Sequence, residues 1–288
     1  MKIAYIILAH KLPQQLVRLI YRLNDDSATF FLHIDGKVND KVYSDIVNQV
    51  QNMPNVYLLK RYKCYWGKID IVKATIEGIR QLINHNVEFD YAILLSGQDY
   101  PIKPITQIKN FLHERRGHEF IESFSLKQDN KWTYQDGCYQ SLNRVKHWHF
   151  HFRSKHFYLP IERKFIPGLE PFGGSQWWCL SKECIYYINN FLLKNPDYIN
   201  YFRYVFIPDE LFFQTIISNS PFGAIIFNDD LRYVDWENPN PTPPAVLDKS
   251  YFEELVSSPK FFARKFDMSR NVEILNLIDQ AILGISDN

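Results

Sequence analysis

The chain has 288 residues and a formal net charge of +1, and its 46% hydrophobic and 23% charged content excludes a disordered polypeptide. The near-neutral balance also removes the basic footprint of a nucleic-acid-binding protein. Aromatics reach 16%, which suits a sugar-stacking surface and equally a dense core.

Residues 2–10, KIAYIILAH, are a nearly continuous apolar run, too short to span a bilayer and without a small-residue cleavage site. They predict a buried first strand and a cytoplasmic protein. A helix follows with Leu16, Leu19, Ile20 and Leu23 on one face, then a strand in TFFLHID, a helix in KVYSDIVNQVQNM and a short strand in NVYLLK. The amphipathic helix KIDIVKATIEGIRQLINHN precedes the strand FDYAILLSGQD, the helix PITQIKNFLHERRG and a fifth strand, EFIESF. This alternation predicts an α/β fold with a mostly parallel central sheet flanked by helices. Ligands then bind beyond the carboxyl ends of the strands, where His10, Asp35, Gln98, Asp99 and Glu122 stand.

From about 125 to 168 the chain loses helical period, and RVKHWHFHFRSKHFYLPIERKF interleaves basic and aromatic residues. His147, His149 and His151 alternate, so on a strand they share a face; they suit zinc less well than solvent, an anion or a membrane surface. The segment 144–164 reads as an acceptor-side lid first and as a peripheral membrane patch second. GSQWWCLS, a helix KECIYYINNFLLKN and IPDELFFQTI come next, then GAIIFNDDLRYVDW as a strand pair, the surface loop ENPNPTPPA and a closing helical region. The cysteines Cys64, Cys138, Cys179 and Cys184 lack CxxC spacing and read as free thiols of a reducing compartment.

GxGxxG, GxxxxGK[ST] and GxSxG are absent, as is an Asp-x-Asp grip on a metal–diphosphate. In IPDELFFQTI the adjacent Asp209 and Glu210 suit a helix start behind a proline, or a general base at a cleft. Arg264 and Lys265 in FFARKFD are candidate phosphate contacts, with a solvated pair at a helix end as the alternative.

The stretches HIDGK, WGKIDIVKATI, LLSGQDYPIK, FIES, GSQWWCLS, PDELFFQTI, LRYVDW and FFARKFD, spanning roughly residues 3 to 270, together resemble the core-2/I-branching glycosyltransferases, which include β-1,6-N-acetylglucosaminyltransferases and peptide O-xylosyltransferases. The resemblance implies a Rossmann-like GT-A type nucleotide-sugar transferase fold in one domain, with residues 1–124 as the nucleotide-binding half and 125–288 as the acceptor and catalytic half. It implies inverting transfer from a UDP-sugar without metal or other cofactor. Glu210 becomes the catalytic base, while Asp209 supports the helix start or positions Glu210. Lys265 contacts the diphosphate, and Asp35 the uridine end. His10, Trp66, Gln98, Asp99 and Arg264 join the donor side, and Glu122, Gln176, Trp177 and Trp236 the acceptor side. N-acetylglucosamine is the first expected sugar, with xylose, galactose and glucose open. The acceptor is expected to be a glycan, free or lipid-linked.

Two features depart from the family. TPPAV stands where a second basic residue is expected, leaving Arg264 or Arg232 as substitutes. The N-terminal anchor and paired cysteines of animal members are missing, which suggests a bacterial cytoplasmic relative, at most peripheral to the inner membrane face, acting in surface-polysaccharide synthesis. The rival readings are a non-catalytic carbohydrate-binding protein and a glycoside hydrolase, the latter poorly served by two carboxylates adjacent in sequence.

Overall fold

The computed structural model describes residues 1–152, 155–238 and 244–284. Strand β1 (Ile3–Ala9) lies inside a seven-stranded sheet. Strand β2 (Ala28–Ile34) runs parallel to it on one side, with β3 (Val56–Leu58) beyond, and β4 (Tyr91–Ser96) runs parallel on the other. Along β1, Ile3, Tyr5, Ile7 and Ala9 pack into one core, and Ala4 and Ile6 into a second on the opposite face. A strand covered on both faces reads as a continuous apolar run.

The helix Pro13–Leu23 begins with proline at its first turn and buries Leu16, Leu19, Ile20 and Leu23 in the first core. The helix Asp70–Asn84 covers the other face through Val72, Ile76 and Ile79. Each such buried aliphatic contributes about 1.5–3 kcal/mol. Gly78 allows that helix its close approach, because a Cβ there would lie 2.6 Å from Ile6.

Short β5 (Tyr100–Pro101) leaves the main sheet, and the expected fifth strand divides into β6 (Glu119–Ile121) and β7 (Phe124–Ser125). The basic aromatic segment forms a hairpin of β8 (Trp148–Phe152) and β9 (Lys155–Leu159). Strand β10 (Phe172–Gly173) pairs with β7, and β11 (Trp178–Ser181) inserts antiparallel between β4 and β6. The central sheet therefore draws strands from both halves of the chain.

GAIIFNDDLRYVDW is not a strand pair. Strand β12 (Ile226–Phe227) joins the main sheet beside β6, whereas β13 (Arg232–Val234) pairs with β14 (Phe262–Arg264), itself paired with β5. The turn between them redirects the chain: the Asp229 and Asp230 carboxylates accept the backbone N–H groups of Leu231 and Arg232, and Leu231 has φ 60°. Arg264 thus ends a strand and does not sit at a helix end. The expected loop ENPNPTPPA falls largely on 239–243, outside the described residues, as do the first two positions of TPPAV, whereas Pro244 lines the cleft described below.

Candidate active site

A cleft of about 330 Å³ opens beyond the carboxyl ends of β1, β2 and β4. The chain leaves β1 toward β2 on one side and later adds β4 on the other, so the cleft sits where the winding reverses. His10, His33, Asp35, Ser96 and Gln98 line it from the strand ends, and Trp66, Gln176, Trp177, Arg264 and Lys265 from elsewhere.

On the β2 side, Asp35 Oδ1 accepts N–H groups from Lys37 at 2.8 Å and Cys64 at 3.4 Å, and Lys37 Nζ lies 3.5 Å from Oδ2. His33 accepts the Tyr62 N–H through Nε2 at 2.9 Å, and burial lowers its pKa to about 4, so it is neutral at physiological pH. Burial also pushes the Cys64 thiol up to about 12, which makes it a poor nucleophile. Trp66 presents an indole 64% exposed, propped edge-on against Phe206. Such a face can stack on a base or a sugar ring.

The opposite wall is cationic. Lys265 makes no ion pair among the described residues, and burial, then the neighbouring Arg264, lowers its pKa. Arg264 donates Nε to Asp99 Oδ1 at 3.0 Å and lies over the Trp177 ring at 4.7 Å. Its two terminal nitrogens have no hydrogen-bond partner among the described residues and remain available to an anion. Arg232 is 4% exposed, donates to Asp99 Oδ2 at 3.2 Å and to the Leu94 carbonyl, and does not line the cleft. Of the two proposed substitutes for the missing basic residue, the structure brings only Arg264 to the cleft. Asp99 is fully buried and serves the cleft by holding both guanidiniums.

Glu210 lies in a separate corner. The motif Pro208–Glu210 is one turn of 3-10 helix, and Phe212–Ser218 is the α-helix that follows. Ile207, just before it, has φ 50°, a left-handed conformation that costs a β-branched residue about 1–3 kcal/mol and is held here by burial. Arg144, 3% exposed, donates Nη1 to Glu210 Oε2 at 2.8 Å and is itself fixed by the Tyr139 carbonyl and the Trp132 ring. Glu210 Oε1 has no partner among the described residues, and a quarter of the side chain is exposed. Burial raises the Glu210 pKa, and the Arg144 charge opposes that rise.

Asp209 stands in the first turn of the 3-10 helix, as expected of a residue at a helix start, but makes no capping hydrogen bond to either helix. It is buried with Oδ1 unpartnered, and burial first, then Glu210, raises its pKa to about 7.

The segment before β11 connects the two regions. Gly174 donates its N–H to the Glu210 carbonyl at 2.9 Å, and a Cβ on it would stand 1.9 Å from the Glu122 carbonyl oxygen. Ser175 Oγ donates to Asp230 at 2.5 Å. Gln176 and Trp177, expected on the acceptor side, line the same cleft as His10, Asp35 and Lys265, because β11 enters the sheet from that end. Glu122 is held by Lys131 Nζ at 2.8 and 2.9 Å. Trp236 is 57% exposed and lines no part of the cleft. The structure therefore gathers His10, Asp35, Trp66, Gln98, Arg264 and Lys265, leaves Asp99 behind them, and keeps Trp236 apart.

The histidine reading also changes. His147 follows the short helix Asn143–Lys146, while His149 and His151 lie on β8. No group of three metal-ligating side chains is assembled among the described residues. Sequence reasoning missed Arg144 as the partner of Glu210 and Asp230 beside Ser175; the signals available were a basic residue in an aromatic run and the tandem aspartates at 229 and 230.

The profile described as Core-2/I-Branching enzyme matches residues 3–256. Xylosyltransferase 2 of Mus musculus is 27% identical over 98% of this chain, and Xylosyltransferase of Ciona intestinalis is 25% identical over 98%. Xylosyltransferase 1 of Rattus norvegicus is 24% identical over 98% of the chain and 36% of its own length. The first two matches each cover 34% of the relative, so the chain spans about a third of the length of these curated proteins.

Proposed function

Because the chain belongs to the Core-2/I-Branching enzyme family, we propose that it is a glycosyltransferase moving a sugar from a UDP-sugar to a glycan hydroxyl with inversion. The observation that carries this reading is the convergence of Lys265, half-free Arg264, Asp35 and Trp66 in one cleft at the strand ends. Glu210 lies one short segment away, behind Gly174–Trp177.

UDP binds with its uridine end toward Asp35 and Trp66 and its diphosphate toward Lys265 and the terminal nitrogens of Arg264. These cations stabilise the charge that builds on the leaving diphosphate, the task a metal performs in other transferases. Glu210 takes the acceptor proton through its free Oε1 while Arg144 holds Oε2, and the acceptor oxygen attacks the anomeric carbon opposite UDP. Burial, which raises the Glu210 pKa, makes the carboxylate a stronger base. The names of the relatives move xylose ahead of N-acetylglucosamine as the first sugar to test. The proposed acceptor is a glycan and the proposed setting cytoplasmic, a reading that the free thiols support.

The test is enzyme-dependent UDP release across UDP-xylose, UDP-N-acetylglucosamine, UDP-galactose and UDP-glucose, with and without EDTA, alongside calorimetry with UDP. Release from at least one donor, insensitive to EDTA, is expected. Failure of UDP to bind would overturn the donor assignment, and activity lost to EDTA and restored by Mn²⁺ would overturn the role given to Lys265 and Arg264.

A further inference from the structure

The hairpin β8–β9 has two unlike faces. Directly paired residues share a side, so His149 and Tyr158, with His151 and His156, form one face. Its histidines are turned inward, while Tyr158 at its edge is 39% exposed: the His149 and His156 rings stack on Phe206 at 5.5 and 4.2 Å, and His149 Nδ1 lies 3.1 Å from His156 Nε2. Burial lowers the pKa of His149 and of His151 to about 4, so this inner layer stays uncharged at neutral pH.

The other face carries Trp148 opposite Leu159 and Phe150 opposite Phe157. It remains open, with Phe150 38%, Phe157 51% and Leu159 47% exposed, and Ile161 beyond it 62% exposed. Tyr204 packs on both Trp148 and Phe150 and extends the patch. Contiguous apolar surface of this kind on a water-soluble face marks an interaction site.

Charge selects the partner. Residues 144–164 hold six basic residues against one acidic. Arg144 is occupied by Glu210, Lys146 lies 3.8 Å from Glu162, and Arg163, over the Trp148 ring at 4.5 Å, donates to the Tyr201 and Tyr204 carbonyls, so Lys155 and Lys164 are the exposed cations. Aromatic and aliphatic side chains rimmed by Lys and Arg fit the boundary of an anionic bilayer, where the rings enter the headgroup layer and the cations meet phosphates.

We propose that the outward face of this hairpin docks the protein on an anionic lipid surface. The inference rests on the hairpin and not on the transfer reaction. The inner histidine face and Phe206, which also props Trp66, tie the docking element to the rim of the cleft. On this proposal the patch is a bilayer contact.

The test is co-sedimentation of the full chain with vesicles of phosphatidylcholine alone or mixed with phosphatidylglycerol, at low and high salt. Wild type is expected to pellet with the mixed vesicles at low salt and to release at high salt. Phe157→Ser/Leu159→Ser and Lys155→Glu/Lys164→Glu should each weaken that partition by about tenfold or more. All four positions are exposed, so thermal melts of the variants should match wild type. Absence of wild-type pelleting on mixed vesicles, or pelleting that neither variant alters, would overturn the proposal. So would a dimer in solution that Phe157→Ser/Leu159→Ser converts to monomer, since a second copy would then cover the face.

Discussion

Replacing Glu210 with Gln keeps the shape of the side chain and removes its basicity. Its acidic oxygen now accepts from Arg144 at 2.8 Å, and Arg144 is only 3% exposed. The amide oxygen of Gln can still accept that N–H, so the cation is not stranded, but a charge-assisted bond becomes a neutral acceptor, a loss of about 1–1.5 kcal/mol. Arg144 also retains the Tyr139 carbonyl and the Trp132 ring. The expected fall in melting temperature is therefore about 2–4 °C. Loss of a positioned base costs about 10²–10⁴ in rate, which is about 3–5 kcal/mol of barrier. The kinetic effect exceeds the structural one severalfold, so the two can be separated. Turnover of the best UDP-sugar, UDP affinity by calorimetry and a thermal melt should be measured on the same sample. Turnover should fall by that factor while UDP affinity stays within about twofold, because Lys265 and Arg264 are untouched. Turnover within about threefold of wild type would refute the base assignment; parallel loss of UDP binding would show that the change had reached the donor cleft.

Lys265→Ala should weaken UDP binding about 10–100-fold, the cost of one charge-assisted contact. Its melting temperature should hardly move, since the ammonium has no ion-pair partner among the described residues; an unchanged Kd would place the diphosphate elsewhere. Asp209→Asn tests the buried carboxyl. Its folded pKa of about 7 exceeds the ordinary 3.8, so the unfolded chain loses this proton first, and the wild-type contribution to stability declines as pH rises from about 4 to about 7. The variant should therefore gain on wild type in thermal melts across that window; a constant difference would mean that Asp209 ionises normally.

What could be read in advance depended on how local the cause was. Strand β1 was legible because both of its faces are buried, and the helix after it because Leu16, Leu19, Ile20 and Leu23 recur at helical spacing. The place of His10, Asp35 and Gln98 around the cleft was legible because a parallel sheet gathers its strand ends there. The Arg144–Glu210 contact spans 66 residues and the Arg232–Asp99 contact 133, and no local signal pairs such groups. Strands of two or three residues, such as β12 and β13, carry too little pattern to name their partners, so they read as a pair when the turn at 228–231 parts them into different sheets. That Gln176 and Trp177 share a cleft with His10 and Asp35 was not legible, because motif order along the chain does not disclose the direction of β11.

That reversed strand has a dimensional consequence. The segment from Gly174 to Trp177 is anchored at one end to the backbone beside Glu210 and at the other beneath the guanidinium of Arg264. Three peptide steps reach at most about 11 Å, so this stretch acts as a ruler between the Glu210 corner and the cationic wall. Residues on its exposed surface can vary without altering that span. An insertion or deletion of one residue would lengthen or shorten it while leaving every strand able to form, and would mistune the machine without unfolding it.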